Sequence, residues 1–326
     1  MLRSLARFAW IYALWLSGVL WFCKRSLRRR GAAVVLTFHR VLDDGEFAAS
    51  SSLPGILVRR GTFEGFLEWA SRHCEILDLA QGAPDWSRPA SRPRIALTFD
   101  DGWLDNHRFA APAAARFGAS MTIFICPGLT GQRYPFWPER VTRLLRGGRG
   151  PEGDSLEATI EELKRMDPDT RRAWIDHLEQ SSGREAARAA EEPSNATMDW
   201  REVRELEERG VRFGSHTMNH VILTQVPASC AEQELRESRV AIEGKLGAAC
   251  GMFAYPNGNC DAEVKQAVAK SDYRLAFTTR PGEWLPQTDP LLIPRMNVSE
   301  KHLAGPHGRF SPAVFEYTVF WKASRG

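Results

Sequence analysis

Seven short apolar runs recur along this chain, with longer segments of helical pattern between them. The runs are continuous rather than alternating, which is typical of parallel strands that are covered on both faces. They occupy residues 33–38, 95–98, 121–125, 211–215, 252–255, 275–278 and 291–293. The pattern predicts an α/β fold in which parallel strands close, or nearly close, into a barrel.

In such a barrel the reactive side chains belong at the carboxyl ends of the strands, where the connecting loops meet. Polar residues follow the apolar runs at several of these points. They are His39, Asp100, Asp101, His216, His220, Asn257 and Arg295. We therefore expect these residues to surround one site.

Asp100 and Asp101 are adjacent in the stretch 98–102, which reads Thr-Phe-Asp-Asp-Gly. Neighbouring carboxylates repel each other, so a fold that buries both usually couples one to a cation and keeps the other as a base. The alternative is a strand that ends in an Asx turn, with Gly102 in the conformation of positive φ.

His216 and His220 are four residues apart, in the stretch His-Thr-Met-Asn-His. On a helix this spacing places both rings on one face about a turn apart, a geometry that can hold one metal ion. The pair alone is a weak signal. Its position after a strand, together with the two aspartates after another strand, favours a metal site.

Three motifs in this order carry a family resemblance: Thr-Phe-Asp-Asp-Gly, Ser-His-Thr-x-x-His and Phe-Ala-Tyr-Pro-x-Gly. Over residues 32–300 the chain resembles the polysaccharide deacetylases of carbohydrate esterase family 4. The resemblance implies a distorted (β/α)7 barrel that binds a divalent metal, most often zinc, and removes N-acetyl groups from amino sugars. It implies that Asp101, His216 and His220 are the metal ligands, that Asp100 is the general base, and that the backbone N–H of Asn257 stabilises the oxyanion.

The chain departs from the common family pattern at the residue that protonates the leaving amine. The usual Leu-x-His-Asp element is not found, since His302 and His307 do not follow strands. His39 ends the first apolar run and is the candidate replacement, as in the circularly permuted poly-N-acetylglucosamine deacetylases that the chain most resembles. Asp43 or Asp44 could orient it. The alternative is a strand-end histidine bonded to the backbone.

A second departure is Gly251, where many members of the family carry an arginine that pairs with the base. Arg295 is the candidate to keep Asp100 ionised in its place. The alternative is a surface arginine that follows Pro294.

The first 30 residues differ from the rest of the chain. They hold seven basic residues and no acidic one, whereas the remainder has 36 Lys and Arg against 40 Asp and Glu. The mildly acidic body argues against a nucleic-acid partner. The apolar stretch 8–23 with its three tryptophans indicates a membrane span or an interfacial anchor. The basic residues after it favour the cytoplasmic face of a bacterial inner membrane.

The sequence therefore predicts a membrane-associating helix (1–30), a deacetylase barrel (31–303) with a helical insertion at about 150–196, and a helical tail (304–326). The predicted activity is metal-dependent hydrolysis of the N-acetyl amide of an amino sugar in a glycan or lipid-linked saccharide. Two alternatives stay open: a catalytically silent glycan-binding module, and a deacylase of another small acylated amine. Six cysteines without a Cys-x-x-Cys pair indicate reduced thiols.

Overall fold

The computed structural model describes residues 2–133, 136–145, 155–188 and 195–325. Ten short strands lie in this part of the chain. They are β1 (Ala33–Phe38), β2 (Arg40–Leu42), β3 (Leu57–Arg59), β4 (Glu75–Ile76), β5 (Arg94–Phe99), β6 (Thr122–Ile125), β7 (Arg212–Ser215), β8 (Met252–Ala254), β9 (Leu275–Phe277) and β10 (Arg295–Asn297).

Seven of these strands follow one another around a barrel. Their order is β10–β1–β5–β6–β7–β8–β9, and every neighbouring pair is parallel. The strand β4 adds to β5 outside this path, and β2 pairs with β3 in a small separate sheet. Ile293 bridges Phe277 of β9 just before β10 begins, so the sheet nearly closes. The predicted (β/α)7 barrel is confirmed.

The last strand lies later in the chain than the sequence predicts. In the run 291–293 only Ile293 pairs with a strand, while regular pairing with β1 begins at Arg295, opposite Val35. Pro294 lies between them and has no N–H to donate to a ladder, so the pairing changes from β9 to β1 across it. Arg295 is therefore the first residue of the last strand, not a residue behind its end.

Thirteen α-helices surround the strands in the described part of the chain. They are α1 (Leu2–Leu16), α2 (Val19–Arg29), α3 (Asp44–Ala49), α4 (Arg60–His73), α5 (Ala111–Arg116), α6 (Trp137–Leu144), α7 (Leu156–Arg165), α8 (Pro168–Arg188), α9 (Trp200–Glu208), α10 (Ala228–Leu246), α11 (Ala262–Lys270), α12 (Glu300–Leu303) and α13 (Pro312–Glu316).

The two faces of the strands explain why their sequences are continuously apolar. All six residues of β1 and all six of β5 are buried. Val34, Leu36 and their outward-facing neighbours pack in one cluster with the helices, including Phe66 of α4. Val35 and Ala96 belong to a second, smaller cluster in the barrel interior. The small interior side chains leave room for a longer polar residue beside them.

The charged insertion is helical where the structure describes it. Its helices α7 and α8 pack with α6 around Val141, Ile160, Leu163 and Ile175, which form a separate small core. Residues 150–154 and 189–194 of the predicted insertion lie outside the described residues. The boundaries that we assigned to the three segments stay predictions.

The N-terminal apolar stretch forms two helices rather than one. The axes of α1 and α2 differ by 62°, and Gly18 between them has φ +79°. Among the described residues no single helix is long and apolar enough to cross a bilayer, although this bent pair passes by length and composition when both helices are counted together.

Gly214 of β7 offers a test of the barrel packing. A Cβ atom there would lie 2.6 Å from the ring of Phe124 and 2.9 Å from the carbonyl oxygen of Met252. We expect Gly214→Ala to lower the free energy of unfolding by about 1–3 kcal/mol, because the interior has no space for it. Urea denaturation followed by circular dichroism measures this change.

The matched control is Gly244→Ala in α10, where an added Cβ would meet no atom within 4 Å. Alanine is the better helix former, so this change should raise the free energy of unfolding by about 0.5–1 kcal/mol. Equal effects of the two substitutions would contradict the packing assigned to Gly214.

Candidate metal centre and catalytic cavity

One cavity opens at the carboxyl ends of the barrel strands. Six of the seven residues that the sequence places at strand ends line it. They are His39, Asp100, Asp101, His216, His220 and Asn257. The seventh, Arg295, lies beneath Asp100 in the barrel interior. The chain therefore brings all seven residues together, from five different strands and the loops that follow them.

Arg295 and Asp100 form a bidentate ion pair inside the barrel. Nη1 of Arg295 donates to Oδ1 of Asp100 at 2.8 Å, and Nη2 donates to Oδ2 at 2.7 Å. Nε donates to the carbonyl of Thr278 at 2.9 Å, and the arginine is fully buried. The predicted pairing of Arg295 with Asp100 is present, and the alternative of a surface arginine is wrong.

The strand register explains why an arginine at the start of β10 reaches a carboxylate after the end of β5. Arg295 is level with Val35, which is level with Ala96. On a strand every second side chain points the same way, so Ala96, Thr98 and Asp100 share the inner face. The guanidinium extends along this face and also donates to Oγ1 of Thr98 at 3.2 Å.

Burial and charge act in opposite directions on Asp100. Burial by itself raises the pKa of this carboxyl group, but the Arg295 guanidinium outweighs it and holds the pKa below its ordinary value. Asp100 is therefore ionised. A carboxylate has about four acceptor sites, so the bidentate pair leaves lone pairs that can still accept a proton.

Asp101, His216 and His220 form the only cluster of three potential metal ligands that we find among the described residues. Their ligand atoms lie within 4.8 Å of one another. Oδ1 of Asp101 is 3.3 Å from Nε2 of His220 and 3.6 Å from Nε2 of His216. This oxygen is buried and makes no hydrogen bond in the described structure. An orphaned carboxylate oxygen between two imidazoles fits a bound cation.

The surroundings of His216 fix which ring nitrogen can bind an ion. Nδ1 lies 2.7 Å from the carbonyl oxygen of Ala254 and must donate, because a carbonyl only accepts. Nε2 is therefore free to be a ligand in the neutral ring. Burial lowers the pKa of His216 to about 4, so the neutral form prevails. Burial alone would also lower the pKa of His220, but the Asp101 carboxylate raises it above its ordinary value.

Trp103 and Arg40 form a second layer that our sequence analysis did not identify. The indole Nε1 of Trp103 donates to Oδ2 of Asp101 at 3.0 Å, which leaves Oδ1 pointing towards the histidines. The Arg40 guanidinium lies 4.3 Å from the centre of the Trp103 ring and is paired with Asp105 at 2.9 Å. All three residues are fully buried. In the sequence, only the position of Arg40 directly after His39 pointed to this second layer.

The loop that carries the two histidines is not a helix, and the prediction of a helical face is wrong. The strand β7 ends at Ser215, and the residues from His216 to His220 are irregular. Thr217 and His220 have positive φ values, 65° and 58°, which turn the chain so that the two rings still approach to 5.0 Å. Glu234 of α10 holds the loop by accepting bonds from both the backbone and the side-chain amide of Asn219.

Backbone strain is concentrated at this cavity. Five non-glycine residues in the described part of the chain have positive φ, and four of them belong to the site or its loops. These are Asp101, Thr217, His220 and Asn257. Each such conformation costs on the order of 1–3 kcal/mol and persists only where the surrounding structure enforces it. The strain marks the cavity as the functional part of the barrel.

His39 lines the same cavity as Asp100 and Asp101. Nδ1 of His39 is buried and makes no hydrogen bond within the described residues. The suggestion that Asp43 or Asp44 orients this ring is wrong. Asp43 accepts from the backbone N–H of Glu46 to cap α3, and Asp44 pairs with Arg59.

Glu139 is another buried acid of the cavity that the sequence did not reveal. It lines the cavity from α6, which precedes the insertion. Burial raises its pKa to about 7, and the negative charge of Asp101 adds to this effect. Gly251, the position where the family arginine is missing, precedes β8 and lines a different cavity beside Arg274.

Comparisons with known proteins agree with this geometry. Residues 174–276 match the family model described as polysaccharide deacetylase, a stretch that includes His216, His220 and Asn257. A putative polysaccharide deacetylase of Bacillus subtilis, YxkH, is 19% identical over 188 residues, which cover 58% of this chain and 45% of that protein. The chain thus spans less than half the length of this curated relative.

Two solved structures show the same fold. The deacetylase PplD of Streptococcus pyogenes, in complex with acetate, superposes with a TM-score of 0.60 at 19% identity, over 88% of this chain and 98% of that chain. IcaB of Ammonifex degensii gives a TM-score of 0.58 at 16% identity, over 90% and 97%. Residues 174–276 therefore match the polysaccharide deacetylase family, and the barrel has the fold of these two deacetylase structures.

The ion pair gives a prediction about stability. We expect Arg295→Met to lower the free energy of unfolding by about 3–5 kcal/mol, because it leaves the Asp100 carboxylate buried without its counter-charge. The double variant Arg295→Met with Asp100→Asn should recover a large part of this loss, since neither position then holds an unpaired charge. Urea denaturation of the four proteins of this cycle measures the coupling, and purely additive effects would contradict it.

Proposed function

We propose that this barrel is a metal-dependent hydrolase of the N-acetyl amide of an amino sugar, with acetate as one product. The observation that carries the proposal is that two separate groups of residues lie in one cavity. One is the ionised Asp100 held by Arg295, and the other is the three-ligand cluster beside it. Amide hydrolysis needs a base and an electrophile close together in one cavity.

Asp101, His216 and His220 would hold the divalent metal, most often zinc in this family. Three nitrogen and oxygen ligands with no fourth protein donor in the described cluster suit a catalytic ion. When bound, the metal supplies Lewis-acid activation of water and of the amide carbonyl. The indole of Trp103 holds Asp101 in the orientation that leaves Oδ1 for the ion.

Asp100 acts as the general base in this proposal. It is ionised, it is adjacent to the ligand Asp101, and its guanidinium partner fixes its orientation. The lone pairs that Arg295 does not occupy accept the proton of the attacking water. Asn257 lines the same cavity in a turn of positive φ, where its backbone N–H can stabilise negative charge on the carbonyl oxygen.

His39 supplies the proton for the departing amine. An amine is a poor leaving group unless it is protonated, so an acid is needed within the cavity. His39 lines the cavity, comes from a different strand than the metal cluster, and has a buried ring nitrogen with no hydrogen bond among the described residues. In this role His39 gives a ring proton to the amine nitrogen as the bond between that nitrogen and the carbonyl carbon breaks.

The walls of the cavity fit a sugar. Trp137 at the start of α6 lines the cavity, as do Ile160 and Lys164 of α7 in the insertion. Aromatic and aliphatic side chains cover the apolar faces of pyranose rings, while polar groups read their substituents. We propose an N-acetylated glycan or lipid-linked sugar as the substrate. The predicted location at the cytoplasmic face of a bacterial inner membrane stays a prediction, which a reporter fusion at each terminus would test.

The alternatives from the sequence make different predictions here. A silent glycan-binding module does not need three strained ligand residues or a buried carboxylate that is paired with an arginine. A deacylase of another small amine would use the same residues. Acetate release from N-acetylglucosamine oligomers, compared with release from N-acetylated amino acids and polyamines, distinguishes the three.

Metal binding is the first test. We expect the purified protein to bind about one zinc ion per chain by mass spectrometry, and His220→Ala to lose it. Trp103→Phe should weaken zinc binding by roughly 10–100-fold in a chelator competition, because Oδ2 of Asp101 loses its donor while an aromatic ring stays at the position. Trp137→Phe is the matched control and should bind zinc normally, because Trp137 lines the same cavity but donates no hydrogen bond to the three ligands in the described structure.

The division of roles between Asp100 and His39 is the second test. We expect Asp100→Asn to lower kcat by about 10²–10⁴ on every substrate. His39→Ala should lower kcat by a similar factor on an N-acetyl sugar but much less on an activated acetate ester, whose leaving group needs no proton. A loss from His39→Ala that is equal on amide and ester would show that His39 is not the acid.

A further inference from the structure

The described surface has an uneven distribution of large apolar side chains. Seven of them are strongly exposed, and six belong to α1 and α2. The six are Leu5, Trp10, Trp15, Leu16, Trp21 and Phe22, and the seventh is Val240 of α10. Large exposed apolar side chains that are concentrated in one part of a surface mark an interaction site.

The domain itself holds these two helices in place from their other side. Ile11 of α1 is fully buried against Ala313 and Val314 of α13. Leu20 of α2 is fully buried as well, and Leu27 nearly so. Tyr12 shares a hydrogen bond of 3.0 Å with Ser311. The helices are therefore part of the folded domain, and the tryptophan-rich side is the one that the fold turns outward.

Both ends of the helix pair are bound to the same body. Near the start of α1, Nη2 of Arg7 donates to the carbonyl of Lys301 at 2.7 Å. At the end of α2, Nε of Arg28 donates to the carbonyl of Ala90 at 3.2 Å. A helix that crosses a bilayer has its ends on opposite sides. In the docked arrangement both ends are on the side of the barrel, so the pair cannot span.

The bend completes this geometry. Gly18 has φ +79°, a conformation that suits glycine, and it turns the chain by 62° next to Trp15 and Leu16. These side chains are 43% and 77% exposed. The most exposed large apolar residue of the two helices, Leu16, is therefore next to the bend.

The charges around the apolar side chains indicate which kind of partner fits. Residues 1–30 hold seven basic and no acidic residues. Lys24 pairs with the buried Glu316, whereas Arg25 and Arg29 are exposed, and Arg25 lies 5.5 Å from the centre of the Trp21 ring. Tryptophans beside exposed arginines are typical of the boundary between acyl chains and anionic headgroups.

We propose that α1 and α2 form a monotopic anchor, which lies in one leaflet of an anionic bilayer and does not cross it. The six exposed side chains of the pair enter the boundary between headgroups and acyl chains. Arg25 and Arg29 contact lipid phosphates. This inference does not depend on the metal chemistry or the substrate, and its test contains no activity assay.

Vesicle binding tests the apolar contact. In flotation with vesicles of phosphatidylglycerol and phosphatidylcholine, we expect the full chain to float. The combined variant Trp10→Ser, Trp15→Ser, Trp21→Ser and Phe22→Ser should partition on the order of a hundredfold more weakly. Val240→Ser removes an equally exposed side chain from α10 and should float like the original chain. Unchanged flotation of the combined variant would overturn the proposal.

The charge contribution is tested with the same assay. Replacing phosphatidylglycerol by phosphatidylcholine should weaken binding by roughly tenfold, and Arg25→Gln with Arg29→Gln should remove most of this lipid dependence. Light scattering of the lipid-free protein in mild detergent tests the competing occupant. A stable dimer that the four-site serine variant abolishes, without binding to vesicles, would assign this surface to a second copy of the chain.

Labelling of the two ends distinguishes an anchor in one leaflet from a span. Ala6→Cys and Ser26→Cys, each in a chain that carries Cys23→Ser, place thiols at exposed positions near the start of α1 and the end of α2. Protein added to preformed vesicles should react with an impermeant maleimide at both positions. Protection of one of them until detergent opens the vesicles would show that the helix pair crosses the bilayer.

Discussion

The buried ion pair between Asp100 and Arg295 is the interaction on which the barrel and its cavity both depend. The two residues are 195 positions apart in the sequence, yet they form two hydrogen bonds of 2.8 and 2.7 Å in the buried interior of the barrel. Without this partner, the buried carboxylate that follows β5 would strongly lower the stability of the folded protein. The pair therefore requires the last strand to lie beside the first, with Arg295 in one register only. The same contact that closes the barrel keeps the proposed base ionised.

The sequence was most informative where one physical requirement dominates. Continuous apolar runs predicted parallel strands because both faces of such strands are buried, and motif resemblance grouped Asp100, Asp101, His216 and His220. It was least informative where tertiary contacts decide the local backbone. The spacing of the two histidines fits a helix, but Glu234 and the left-handed residues of their loop impose a turn. The run at 291–293 looks like a strand, but Pro294 moves the pairing to Arg295.

The residues that support the three candidate metal ligands could not be predicted from the sequence for a related reason. The positions of Trp103 and Arg40 in the sequence do not indicate their roles. These roles arise because the ends of β1 and β5, about 60 residues apart in the chain, lie side by side in the barrel. Once folded, Arg40 lies against the indole, and the indole donates to Asp101. Such residues look like ordinary core or surface positions until the fold is known. The strained conformations of the cavity depend on this kind of surrounding support.

The position of Arg295 has a consequence for how the protein is made. A ribosome releases β5 with Asp100 long before it releases β10, so the nascent barrel holds an unpaired acid where its interior should close. Parallel strands from the two ends of a chain also pair slowly, because a long loop must be closed first. We infer that the barrel and its cavity form only after synthesis has passed residue 297. The helices α1 and α2 emerge much earlier, but their docking partner, α13, lies later still. A nascent chain thus exposes the two helices before its cavity has formed.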